Sequence, residues 1–139
     1  MEKFKRDLEV GQRAEEEVAA LLESKGWYIT YNTSEDLKTL RGWDLKGTKD
    51  TESIYIEVKN DLKASTTGNV AIEVRCVEYS LSNIWIYKIN NEFWAVNLAW
   101  LRTEIATDGR YVTGGDNNNS FMKLVPVDTF KKNAKCLSL

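Results

Sequence analysis

Residues 53–59 (SIYIEVK) constrain this chain more than any other stretch. Ile54, Ile56 and Val58 alternate with Tyr55, Glu57 and Lys59. Successive side chains of a strand point to opposite faces, so the three apolar residues face a core. Tyr55, Glu57 and Lys59 then share the second face. A sheet built on such a strand must bury its apolar side against another layer.

The flanking sequence supplies that layer. Residues 7–25 read as a helix, because Ala14, Val18, Leu21 and Leu22 recur at helical spacing and form one stripe. Gly26 follows as a C-cap. Residues 27–31 (WYITY) are aromatic and β-branched and read as a strand. Residues 32–42 form a polar loop, and residues 43–46 a short strand closed by Gly47. After residues 53–59 comes a loop, 60–69, with Gly68 near its end. Residues 70–76 alternate again, Val70, Ile72, Val74 and Cys76 against Ala71, Glu73 and Arg75. Residues 84–89 (IWIYKI) are almost continuously apolar, as a central strand is. Asn90-Asn91 is a turn signal, so residues 93–98 return as a hairpin partner. A short helix over 99–106, a loop over 113–120, a strand over 121–125 and a terminal helix over 127–135 complete the chain. The order predicts an α/β (α+β) fold, a central mixed β-sheet flanked by helices. A chain of 139 residues makes this one domain, 1–139.

Composition narrows the chemistry. The chain has no His, which excludes Ser-His-Asp and Cys-His hydrolases and His-rich metal sites. Cys76 and Cys136 are the only cysteines and lack CxxC spacing, so they read as reduced thiols rather than zinc ligands. Catalysis would then run on carboxylates, Lys, Tyr or a metal ion, and Asp and Glu oxygens suit hard cations such as Mg²⁺ or Mn²⁺. No run approaches the roughly 20 apolar residues that span a bilayer. The polar start lacks the apolar core of a signal peptide, so a cytoplasmic protein is expected, with no membrane partner. A net charge of −2 argues mildly against nucleic acid, unless charge is segregated. Many acidic residues do fall within 9–23, whereas Lys46, Lys49, Lys59, Lys63 and Arg75 cluster in the middle of the chain.

Asp44 stands 13 residues before Glu57, and Lys59 lies two beyond it. Pairing of the two strands brings Asp44 beside Glu57, with Lys59 on the same face. Two carboxylates at one point repel and are costly to bury unless a cation bridges them. An adjacent ammonium can orient a water or neutralise charge building on a phosphate. Metal-assisted phosphodiester hydrolysis needs that set and no His. On the first helix, Glu15 lies nearer the apolar stripe than its neighbours, with Glu16 roughly opposite.

Asp44 followed by Glu57-Val58-Lys59, after a leading helix, resembles the PD-(D/E)xK nuclease superfamily, which includes restriction endonucleases and Holliday-junction resolvases. Trp43 stands where that family has Pro. The segment Gly11-Gln12-Arg13-Ala14-Glu15 resembles the resolvase helix start and points to Glu15. Thr67-Gly68-Asn69, Ile72-Glu73, residues 82–87 and Gly114-Gly115-Asp116 resemble phage-encoded and bacterial members. The resemblance implies a restriction-endonuclease-like core and a metal-dependent DNA endonuclease of phage or bacterial origin, possessing no small organic cofactor. It further implies a homodimer acting in junction resolution, recombination or repair. It assigns Asp44, Glu57 and the Val58 carbonyl to Mg²⁺ or Mn²⁺, and catalysis to Asp44, Glu57, Lys59 and Glu15. Glu73 and Asp61 follow as secondary site residues, and Arg41, Lys46, Lys63 and Arg75 as phosphate contacts.

Plainer roles compete at each position. Glu57 and Lys59 suit an exposed cross-strand pair, and Asp61 suits a turn. Trp85 and Trp94 suit a core, and Lys131, Lys132 and Lys135 a solvated helix end. The same fold turned to nucleic-acid or partner binding, without catalysis, is the alternative function.

Overall fold

The computed structural model describes residues 2–32, 42–114 and 120–138, with side chains from residue 11 onward. A long helix opens the fold, α1 (Glu2–Glu23). Its stripe of Ala14, Val18, Leu21 and Leu22 is buried as its spacing predicts. Gly26 adopts φ +96°, which ends the helix without a Cβ penalty. There the Trp27 N–H returns to the Leu22 carbonyl at 3.1 Å.

Three strands follow, β1 (Tyr28–Tyr31), β2 (Leu45–Lys49) and β3 (Glu52–Asn60). One helical turn, α2 (Ala64–Thr67), leads to β4 (Asn69–Glu73) and α3 (Val74–Tyr79). The hairpin β5 (Ile84–Ile89) and β6 (Glu92–Asn97) turns through Asn90 and Asn91, both at positive φ. That is the geometry of a two-residue type I′ turn. Then come α4 (Leu98–Ile105), β7 (Arg110–Gly114), β8 (Ser120–Pro126), α5 (Val127–Lys132) and β9 (Lys135–Leu137).

The strands form two sheets. Six lie in the order β1-β2-β3-β5-β6-β9, mixed because β3 and β5 run parallel while the other neighbours are antiparallel. The other three form an antiparallel sheet, β4-β8-β7. On one face of the larger sheet Val18, Ala19 and Leu22 of α1 pack on Leu45, Ile56 and Ile86. On the other, Trp85, Tyr87 and Ile89 pack against Val70, Ile72, Val125, Leu101 and Phe130. β5 is therefore covered on both sides, which explains its unbroken apolar run. Lys123 of β8 is buried, and its Nζ donates to the Glu104 carbonyl and to Thr107 Oγ1, pinning the end of α4 to the smaller sheet.

Several boundaries differ from the sequence expectation. Gly47 lies inside β2 rather than closing it, paired with Ile29 and Ile54, and its lack of a side chain suits a place where a Cβ would meet Ile54 Cγ1 at 3.2 Å and Trp27 Cε3 at 3.3 Å. Residues 70–76 are not one strand: the chain turns helical at Val74, so Arg75 and Cys76 lie on α3. Thr113 and Gly114 belong to β7, and the terminal helix stops at Lys132 before β9. The loop expected over 32–42 lies outside the described residues except at its two ends. Among the described residues no helix is long and apolar enough to cross a membrane.

Candidate active site

Asp44 precedes β2 by one residue rather than lying within it, yet it keeps the strand's hydrogen bonding. Its N–H donates to the Ile56 carbonyl at 2.8 Å. The register Leu45↔Ile56, extended by one step, sets Asp44 opposite Glu57. Asp44 Oδ2 accepts the Val58 N–H at 2.9 Å. A residue in a ladder turns its N–H and its carbonyl to the same edge. The Val58 carbonyl is thus directed to the edge where β2 stops, beside Asp44.

Glu57 and Lys59 share the opposite face of β3 from Ile56, the face toward the smaller sheet. Lys59 Nζ lies 3.4 Å from Glu57 Oε2 and 3.8 Å from Glu73 Oε1, and 5.4 Å from the centre of the Trp85 ring. Glu73 ends β4 and also accepts the Cys76 thiol at 3.3 Å. Burial pushes the Glu57 carboxyl up to about 7, against the pull of Lys59, and the Asp44 and Glu15 charges add to the rise. Burial opposes the charge on Lys59, but Glu57 and Glu73 outweigh it and hold its pKa above the usual lysine value. Burial also pushes the Cys76 thiol up to about 11, so it stays protonated near neutrality. Both cysteines are free thiols.

A cavity of about 710 Å³ opens over Asp44 and Glu57, with Glu73, Arg75, Tyr79 and Phe121 among its walls. Lys59 is reached from an adjoining recess of about 480 Å³ that Glu73 also lines, with Asp61 and Lys63. Glu15 is half-buried on α1 and near enough for its charge to act on Glu57, while Glu16 is exposed and Glu17 pairs with Lys88 at 2.8 Å. Asp61 behaves as a turn residue. Its two oxygens accept the Lys63 and Ala71 N–H groups at 3.2 and 3.0 Å, tying the start of α2 to β4. Lys46 lies 5.5 Å from the Tyr55 ring centre, on the face that carries Glu57. Arg41 lies outside the described residues. Trp85 is wholly buried, its Nε1 donating to Ser80 Oγ at 3.0 Å, so it is a core residue. Lys131 sits over the half-buried Trp94 and pairs with Glu92 at 3.6 Å.

Sequence reasoning missed Tyr79, Phe121 and Ser80 of this cavity, and missed the anchor beneath it. Gly42 takes φ +60°, and a Cβ there would meet Ser80 Cα at 3.2 Å and Leu81 N at 3.3 Å. Its carbonyl accepts Ser82 Oγ at 2.5 Å. This clamp sets the chain two residues ahead of Asp44. Gly42→Ala is expected to cost about 2 kcal/mol of stability, from left-handed strain and contacts with fixed backbone. Urea unfolding checks it; a loss under about 0.5 kcal/mol, the scatter of neutral surface changes, removes the clamp from the account.

Among the described residues, no three Asp, Glu or Cys side chains gather closely enough to enclose an ion unaided. Mg²⁺ asks for less, since it binds through one or two carboxylates and fills its other positions with water and phosphate oxygens. Asp44, Glu57 and the Val58 carbonyl are oxygen donors at one strand edge, and the raised Glu57 carboxyl is one whose charge a cation would favour. These residues fit such an ion. Comparison of the chain with protein-family models, with curated proteins and with solved structures returns no match.

Proposed function

We propose that the protein is a Mg²⁺- or Mn²⁺-dependent DNA endonuclease with a PD-(D/E)xK-type site on a restriction-endonuclease-like core. The observation that carries this is the hydrogen bond from the Val58 N–H to Asp44, which registers one carboxylate against the Glu57-Val58-Lys59 strand. Asp44, Glu57 and the Val58 carbonyl would hold the ion. A bound ion would supply Lewis acidity to a scissile phosphate and lower the pKa of a water. Lys59, held cationic between Glu57 and Glu73, donates hydrogen bonds to the attacking water or to phosphate oxygens as negative charge builds there. Glu73 positions Lys59, and Cys76 in turn orients Glu73. Arg75 at the cavity wall and Lys63 at the adjoining recess are placed to hold flanking phosphates. Glu15 approaches from α1 and reaches the site through its charge on Glu57.

The test is cleavage of supercoiled plasmid and of a labelled four-way junction in Mg²⁺, Mn²⁺ or EDTA. Cutting only with metal supports the proposal. Salt-sensitive DNA binding without cutting leaves a binding protein on this fold. Neither cutting nor binding removes the nuclease reading.

A further inference from the structure

Two aromatic rings stand exposed at the walls of the cavity over Asp44 and Glu57. Tyr79, at the end of α3, is 71% exposed, and Phe121, near the start of β8, is 53% exposed. An isolated exposed ring is ordinary on a protein surface. Two rings in the walls of one cavity that also holds three carboxylates are not explained by folding, since neither is buried in either core. Phe121 already stacks on Tyr111, with centroids 5.2 Å apart and planes 12° apart. The pair forms a short column that another flat ring can extend. Arg75 lies four residues before Tyr79 on α3, so helical spacing puts the cation and the ring on one face.

These features select an occupant. An apolar peptide would suit the rings but would take Asp44, Glu57 and Glu73 out of water with nothing to pair their carboxylates. A nucleotide matches both parts of the cavity. Its base offers a flat face to the rings, and its phosphate suits Arg75 and a cation held at the carboxylates. Within a duplex each base shows only its edge to a groove, because its faces are covered by stacking. Exposed rings therefore favour a base that is already unstacked. A volume of about 710 Å³ lies within the usual range of small-ligand sites, roughly 300–1,000 Å³.

We propose that this cavity receives an unpaired nucleotide, its base stacked against Tyr79 or Phe121, so that the substrate is single-stranded DNA or the unpaired part of a branched DNA. The proposal takes from the nuclease reading only that the ligand is a nucleic acid. The test is fluorescence anisotropy at low salt, in EDTA and again with Ca²⁺ as the cation, using a labelled single-stranded oligonucleotide and its duplex. Wild type is expected to bind the single strand more tightly. Loss of the ring that carries the base, in Tyr79→Leu or in Phe121→Leu, is expected to weaken single-strand binding roughly 5- to 150-fold, the range for losing one base–aromatic stack. Tyr79→Phe and Phe121→Tyr, which keep the rings, are expected to retain it, and circular dichroism confirms that all four variants fold. Ring-dependent single-strand binding supports the proposal even if no metal supports cutting, in which case the nuclease reading alone falls. Duplex bound as tightly as single strand, or both leucine variants equal to wild type, overturns it whether or not DNA is cut. Binding of neither DNA in either condition overturns the proposal, and the nuclease reading falls with it where no metal supports cutting.

Discussion

Asp44→Asn is expected to abolish metal-dependent cleavage while leaving the protein folded. The amide oxygen of Asn can still accept the Val58 N–H, which now reaches Asp44 Oδ2 at 2.9 Å. The strand edge therefore keeps its register, and what is lost is one of the negative charges that would hold the cation. Lys59→Ala is expected to give a comparable loss for a different reason. It removes the ammonium that Glu57 and Glu73 hold at 3.4 and 3.8 Å, and with it the charge that in the proposed nuclease would meet the developing oxyanion. Loss of one such stabilising group costs on the order of 10²–10³-fold in rate, and loss of a metal ligand at least as much. The two variants separate in metal binding. Calorimetry is expected to show weakened Mg²⁺ affinity in Asp44→Asn and near-normal affinity in Lys59→Ala. Either variant cutting plasmid within tenfold of wild type removes that residue from the chemistry.

Much of this site was legible because two of its rules are local. Period-two alternation put Glu57 and Lys59 on one face of β3 from seven residues of sequence, and helical spacing put Glu15 on the inner shoulder of α1. Asp44 beside Glu57 followed from pairing the two strands, and the antiparallel register of β2 with β3 sets them opposite each other. The smaller sheet was not legible, because β4 pairs with β8 across more than 40 intervening residues and nothing local specifies that partner. The change at Val74 was hidden by a coincidence of periods. Val70, Ile72, Val74 and Cys76 continue an alternation, while Val74 and Val77 equally suit one helix face, and only the packing of Val77 in the core decides between them. Short edge segments carry too few residues for any period, so nothing in the sequence marks β9 as a strand, and the expected terminal helix runs on to Lys135. Tyr79 and Phe121 lie 42 residues apart and acquire meaning only where α3 and β8 meet at the cavity.

The pH dependence of stability offers a reading of the site that needs no substrate. In the folded protein burial raises the Glu57 carboxyl to about 7, from an ordinary value of 4.5. The folded state thus binds this proton more tightly than the unfolded chain does, so the group's stabilising contribution is complete below about pH 4.5 and lost as pH rises through about 7. In EDTA, unfolding free energy is expected to fall between pH 5 and pH 8 by as much as about 3 kcal/mol, because each tenfold difference in proton affinity between the two states is worth about 1.4 kcal/mol. Two changes should flatten this slope. Glu57→Gln removes the titration and is expected to leave stability nearly level across the window. Asp44→Asn removes a like charge that adds to the rise, so it is expected to shrink the slope without abolishing it, because burial is the larger cause. Millimolar Mg²⁺ is expected to restore stability at pH 8 and to do little at pH 5, since a proton and a cation compete for the same carboxylate. Urea unfolding of the three proteins at four pH values, with and without Mg²⁺, checks all of this. A wild-type slope that matches that of Glu57→Gln would mean that Glu57 is a solvated strand residue whose charge costs nothing in the fold. Parallel slopes with a Mg²⁺ effect independent of pH would place any bound cation elsewhere.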